Sequence, residues 1–99
     1  MNNELYGLRK NILNEIIYIG EEHNIQKITL FGSRARGDYK ERSDIDLAVY
    51  GGDADGFAIV VEEKVSTLLK FDVVDMNKPV QKELMYSIEK EGVVIYEKV

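Results

Sequence analysis

Two aspartates, Asp44 and Asp46, stand two residues apart in a run otherwise made of Ile45, Leu47, Ala48 and Val49. Ten residues separate Asp44 from Ser33, which follows Gly32 at the end of another apolar run, Ile25 to Phe31. On a strand, residues two apart project to the same side, so the two carboxylates lie ~6–7 Å apart at their Cα atoms. Carboxylates that close repel, and burying their charge requires a compensating cation. Hard oxygen donors of this kind suit Mg²⁺, which keeps several waters and completes its shell from phosphate. Two such ions about 3.5–4 Å apart can activate an attacking hydroxyl and stabilise a departing oxygen.

The neighbouring residues fit a phosphate. Gly32 permits a sharp turn and a close ligand approach. Backbone N–H groups of Gly32 and Ser33, with the Ser33 hydroxyl, can point together at phosphate oxygens if Ser33 opens a short helix. Arg34 and Arg36 can add charge-assisted hydrogen bonds. Lys40 and Arg42 fall in a segment, Asp38 to Arg42, that reads as a solvated loop. A third carboxylate is wanted on a neighbouring strand. The run Phe71-Asp72-Val73-Val74-Asp75 offers two. Asp72 has the parity to face a cleft while Phe71 and Val73 enter the core, and Asp75 suits a strand end. Asp72 is the favoured ligand and Asp75 the alternative.

The elements that must hold these groups can be read from periodicity. Leu5, Leu8, Ile12, Ile16 and Ile19 recur at spacings of three and four, the stripe of an amphipathic helix ending at Gly20 or at His23-Asn24. His23 fits a surface position at that helix end. Ile25 to Phe31 and Asp44 to Tyr50 read as strands. Ile45, Leu47 and Val49 share the core face of the second, and Asp44, Asp46 and Ala48 face an open cleft. Asp53 or Asp55 can cap a second helix carrying Phe57, Val60, Val61, Val65, Leu68 and Leu69. Phe71 to Val74 is a third strand. Pro79 begins a helix lined by Val80, Leu84, Met85 and Ile88 and stopped at Gly92. Val93 to Tyr96 is a final edge strand. The fold class is α/β (α+β): a mixed β-sheet with helices packed mainly on one face. The loop of about eleven residues between the first two strands is too short for a parallel crossover, so those strands pair antiparallel.

Composition narrows the function classes. Ninety-nine residues with 44% hydrophobic content make one domain, residues 1–99, with a single modest core. A net charge of −5 makes general nucleic-acid binding unexpected, because such binding rests on neutralising phosphates. No apolar run is long enough for a membrane span. The start, Met1-Asn2-Asn3-Glu4, shows no secretory pattern, and cysteine is absent, which fits a cytoplasmic protein.

The phrase Leu30-Phe31-Gly32-Ser33-Arg34-Ala35-Arg36-Gly37, followed by Ser43-Asp44-Ile45-Asp46-Leu47-Ala48-Val49, resembles the active-site motif of the DNA polymerase β-like nucleotidyltransferase superfamily. It is most similar to the minimal nucleotidyltransferase (MNT) branch, and the likeness extends to the Asp72 strand and the ending Glu91-Gly92-Val93-Val94-Ile95-Tyr96. The resemblance implies transfer of a nucleoside monophosphate from a nucleoside triphosphate, ATP, to a hydroxyl, with release of pyrophosphate. It implies that Ser33 holds the triphosphate, that Asp44 and Asp46 bind both Mg²⁺ ions, and that Asp72 binds the catalytic metal and helps deprotonate the acceptor. Members of this branch often act as antitoxins beside a helical HEPN ribonuclease toxin, adding AMP to a tyrosine of that toxin. A HEPN-type toxin is therefore the partner that the resemblance implies. Two other functions compete: nucleotidyl transfer to a small molecule, and a non-catalytic antitoxin that masks its partner by binding.

Overall fold

A computed structural model describes residues 4–99, so the reading at Met1-Asn2-Asn3 lies outside the described residues. The chain begins with a hairpin, β1 (Glu4–Leu5) against β2 (Leu8–Arg9). Its turn is Tyr6-Gly7, with φ of 59° and 72°. Positive φ at both central residues is the turn geometry that matches strand twist. The expected helix from Leu5 is thus corrected: α1 runs Lys10–Glu22. Leu8 still reaches the core from the hairpin, whereas Leu5 is exposed. A period of three to four residues cannot distinguish a helical turn from a hairpin that returns a leucine to the same side.

Helix α1 buries Ile12, Leu13, Ile16, Ile19 and Gly20. It stops at His23, whose ring Nδ1 donates to Ile19 O at 2.8 Å, and Asn24 then takes φ +59°. Next come β3 (Lys27–Phe31), the one-turn helix α2 (Gly32–Arg36), β4 (Ile45–Tyr50), α3 (Ala54–Lys64), β5 (Phe71–Asp75), α4 (Lys82–Glu91) and β6 (Val93–Glu97). The main sheet has the order β5-β4-β3-β6. β3 pairs antiparallel with both β4 and β6, and β4 pairs parallel with β5 through the α3 crossover. The expected antiparallel pairing of the first two main-sheet strands and the edge position of the last are both observed.

Burial follows strand parity. Ile28, Leu30, Ile45, Leu47 and Val49 form one face, covered by Ile16 of α1 and Phe57 and Val61 of α3. The opposite face is split. Around Phe31 and Ala48 it is closed by Ile88 and Leu84 of α4. Around Asp46 and Asp72 it is not fully covered, and Asp72 is exposed.

Two helix boundaries differ from the sequence expectation. α3 ends at Lys64, and Asp53 caps its start by accepting from Gly56 N at 3.0 Å. Leu68 and Leu69 fall in the following loop, with Leu69 against the core and Leu68 in solvent. α4 begins at Lys82 rather than at Pro79. The chain leaving β5 must cross to the other face of the sheet before α4 can pack, and Pro79 to Gln81 make that crossing. Met85 consequently points to solvent, while Leu84 and Ile88 face inward.

Phe57 is fully buried where α3 meets the sheet, and Ile59 on the same helix is exposed. Phe57→Ala should cost about 3–5 kcal/mol in urea denaturation. Ile59→Ala should change stability by no more than about 0.5 kcal/mol.

Candidate active site

The backbone brings the three favoured aspartates together. The parallel register sets Asp46 of β4 opposite Asp72 of β5. Side chains in register on adjacent strands share a face, and Asp44 precedes β4 with the same parity. Asp75 has the other parity and lies opposite Val49. Its carboxylate accepts from Asn77 N at 2.9 Å and lies 3.9 Å from Lys78 Nζ, so it serves the turn after β5. Asn77 fastens that turn to the end of β4, where its Oδ1 accepts from Gly51 N at 2.7 Å. Gly51-Gly52 marks the end of the strand in the sequence, whereas Asn77 does not stand out there.

The antiparallel register places Asp46 opposite Phe31, so the carboxylate sits beside the β3–α2 turn. Gly32 there has φ +74°, and a Cβ at this position would collide with Asp46 Oδ2. Only glycine lets the turn and the carboxylate approach this closely.

Charge in the cluster is poorly compensated. Burial pushes the Asp46 carboxyl up to about 6; the charges of Asp72 and then Asp44 push the same way, while Arg36 and Arg34 oppose them. Among the described residues no three acidic or histidine side chains close around a common point that could hold an ion. Like charges on one face repel, and a divalent cation would offset that repulsion. The donor set, carboxylate oxygens on a part-open face, fits Mg²⁺.

The two arginines of α2 behave differently. Arg34 is 1% exposed. Its Nε donates to Ser43 O at 3.1 Å, Nη1 to Tyr6 O and Gly7 O at 3.1 and 3.3 Å, and Nη2 to Glu41 O and Ser43 O at 3.3 and 2.9 Å. All five N–H groups of a guanidinium are thereby spent on carbonyls. Tyr39 covers the group, its ring centroid 5.1 Å away. Burial lowers the Arg34 pKa, with Tyr39 and Asp46 acting in the opposite sense. The expectation that Arg34 reaches a triphosphate is corrected on this geometry. The side chain turns inward because unmet carbonyls of the hairpin and the 38–44 loop surround it.

Arg36 is partly exposed, with Nε 3.3 Å from Asp38 and Nη1 3.7 Å from Glu91 of α4. Such exposed pairs are weak and can yield to phosphate. Ser33 is half-buried in the first turn of α2. Ser43 organises the approach to Asp44: its hydroxyl accepts from Lys40 N at 2.8 Å. Sequence reading missed the structural roles of Ser43 and Tyr39. The serine beside the Asp-x-Asp pair was the only available cue.

Residues 14–99 match the family model described as polymerase beta, nucleotidyltransferase. The chain belongs to this nucleotidyltransferase family. It is 42% identical, over 82 residues, to a Methanocaldococcus jannaschii protein named as an inferred protein adenylyltransferase, covering 73% of this chain and 79% of that one. Among solved structures it resembles a chain of a toxin–antitoxin crystal structure with AMP-PNP, at TM-score 0.70 and 25% identity, over 87% of this chain and 73% of that one. It also shares its fold with a chain of the complex between tri-AMPylated Shewanella oneidensis HEPN toxin and MNT antitoxin, at TM-score 0.62 and 22% identity, over 88% and 71% of the two chains. The protein is thus a nucleotidyltransferase.

Two outcomes test how this nucleotidyltransferase site is held. Arg34→Met leaves the four carbonyl-bearing residues without their donor and should lower stability by about 3 kcal/mol or more in urea denaturation. Arg34→Lys, with three donors, should lose less. Asp46 has a folded-state value above its unfolded value of 3.8, so the folded chain binds its proton more readily. The penalty is present at neutral pH, shrinks as pH falls below about 6 and is gone once pH is below the unfolded value of 3.8. Asp46→Asn should therefore stabilise the metal-free protein by about 1 kcal/mol at pH 7, a value discounted for partial exposure, and by nothing near pH 4. Equal effects at both pH values would show that charge is not the cause.

Proposed function

We propose that residues 1–99 form one Mg²⁺-dependent nucleotidyltransferase domain that moves AMP from ATP to a hydroxyl, a tyrosine of a HEPN-type toxin, and so acts as an antitoxin. The carrying observation is the registered pair Asp46–Asp72 set beside the Gly32-Ser33 turn. The adenylyltransferase-named relative and the fold shared with chains of toxin–antitoxin complexes support the choice of AMP and of a protein acceptor. In our reading the reaction belongs in the cytoplasm, where ATP is supplied. No described helix is long and apolar enough to cross a membrane.

Each residue has a task in this reading. Gly32 and Ser33 hold the triphosphate through N–H groups and the hydroxyl, and Arg36 exchanges its surface carboxylates for phosphate. Asp44, Asp46 and Asp72 would hold the metal, and Mg²⁺ bound there would supply charge neutralisation on the phosphates and a lowered pKa for the acceptor hydroxyl. Asp72, nearest the edge of the sheet, orients that hydroxyl and receives its proton. The acceptor oxygen forms a bond to the α-phosphorus, the bond to the bridging oxygen breaks, and pyrophosphate leaves with the electron pair.

The test is direct. The protein is incubated with ATP, Mg²⁺ and a HEPN-type protein encoded beside it, and the latter is weighed by mass spectrometry. Wild type should add nucleotide mass. Asp44→Asn with Asp46→Asn should slow the addition by roughly a thousand-fold or more. Neutralisation of the toxin by that double variant would instead support masking by binding.

A further inference from the structure

We propose that the cleft beside Asp44 is the docking site for an acidic segment of the acceptor protein, one that carries the receiving hydroxyl. The proposal rests on the nucleotidyl-transfer reading and names the chemistry of its second substrate. The cleft, about 880 Å³ in volume, is lined by Arg9 of β2, Glu41, Arg42 and Asp44 of the loop before β4, and Leu68 and Lys70 of the loop before β5.

Its position follows from the strand order. The phosphate-facing turn ends β3, the paired carboxylates stand on β4 and β5, and β5 is the far edge of the sheet. In phosphoryl transfer the attacking and leaving oxygens lie roughly in line on opposite sides of phosphorus. With pyrophosphate held at the β3 turn, the acceptor must arrive from the β5 side. The Thr67–Lys70 loop borders that side, and Lys70 O accepts from Ile45 N at 2.8 Å, which ties the cleft wall to the residue between Asp44 and Asp46.

Its chemistry follows from the lining. The molecule carries a net −5, yet three cationic side chains, Arg9, Arg42 and Lys70, gather on this rim. Among the described residues, none of the three takes part in an ion pair. Glu41 and Asp44 are the opposing charges on the wall, and Asp44 would be taken up by the metal in the proposed reading. Leu68 stands fully exposed at the lip, an apolar side chain that no described residue covers. A rim of unpaired cations around an exposed leucine complements a polypeptide with carboxylates flanking an apolar residue. Three cations are too few for the continuous row of phosphates that a nucleic acid would bring to the same place.

Two fluorescein-labelled peptides test the assignment, each with a central Leu-Tyr pair, one flanked by Asp and Glu and the other by Lys. Binding is measured by fluorescence anisotropy with Mg²⁺ and a non-hydrolysable ATP analogue present. The acidic peptide should bind about ten-fold tighter than the basic one and weaken as salt rises. Arg42→Glu with Lys70→Glu should abolish or reverse the preference, and Leu68→Asp should weaken the acidic peptide. Both sets of changes lie on the surface and should leave thermal unfolding unaltered. Equal binding of the two peptides, binding of neither, indifference to the charge reversal, or tighter binding of a single-stranded oligonucleotide would overturn the proposal. Mg²⁺-dependent binding of the ATP analogue is measured alongside. Its loss would overturn the nucleotidyl-transfer reading itself, and its presence without a peptide preference would overturn only the docking site.

Discussion

The parallel pairing of β4 with β5 is the constraint on which the rest of the molecule depends. It sets Asp46 against Asp72 and so forces like charges onto one patch of sheet. Parallel neighbours cannot be joined by a tight turn, which is why α3 must intervene as a crossover. Phe57 and Val61 of that crossover then cover the opposite face of the same strands. The apolar face thus holds the sheet together while its other side carries charges that oppose one another. Burial first, and then the charges of Asp72 and Asp44, raise the Asp46 pKa. In the proposed reading this condition favours divalent cations, at the expense of stability.

Two arginines on a single turn of helix illustrate how burial assigns a role. Arg34 and Arg36 are two residues apart and equally cationic. The first faces into the gap between the hairpin and the 38–44 loop, where carbonyls take all its donors. It joins three chain segments and fixes Ser43 immediately before Asp44. The second stays at the surface between Asp38 and Glu91, in pairs weak enough to exchange. A guanidinium is well suited to the first task, since its planar fork can meet several oxygens at once.

The arrangement has a direction. Turn, paired carboxylates and basic cleft follow one another across the sheet from β3 to β5 and its preceding loop. In the proposed reading the leaving group lies at one end of that sequence and the attacking group at the other, as a displacement at phosphorus requires. α4 closes the far part of the same face around Ala48, leaving the carboxylate end accessible.

Much of this was legible in the residues themselves. Glycine before serine, ten residues, then Asp-x-Asp in an apolar run named the chemistry and the family. Strand parity distinguished Asp72 from Asp75, because side chains alternate strictly along a strand. Other features were not legible, since they depend on what comes near in space. The leucine spacing from Leu5 onward matched a helix, yet two positive-φ residues made a hairpin. Pro79 signalled a helix start that the crossing to the other face delayed to Lys82. Nothing in the local run around Arg34 reveals that carbonyls from Tyr6, some 28 residues earlier in the chain, would surround it. Local pattern determined which residues are strand, turn and carboxylate pair, because those depend on period and backbone freedom. The folded chain alone decided which charges stay free and which are consumed, because a side chain's partners are set by distance in space rather than by separation in sequence.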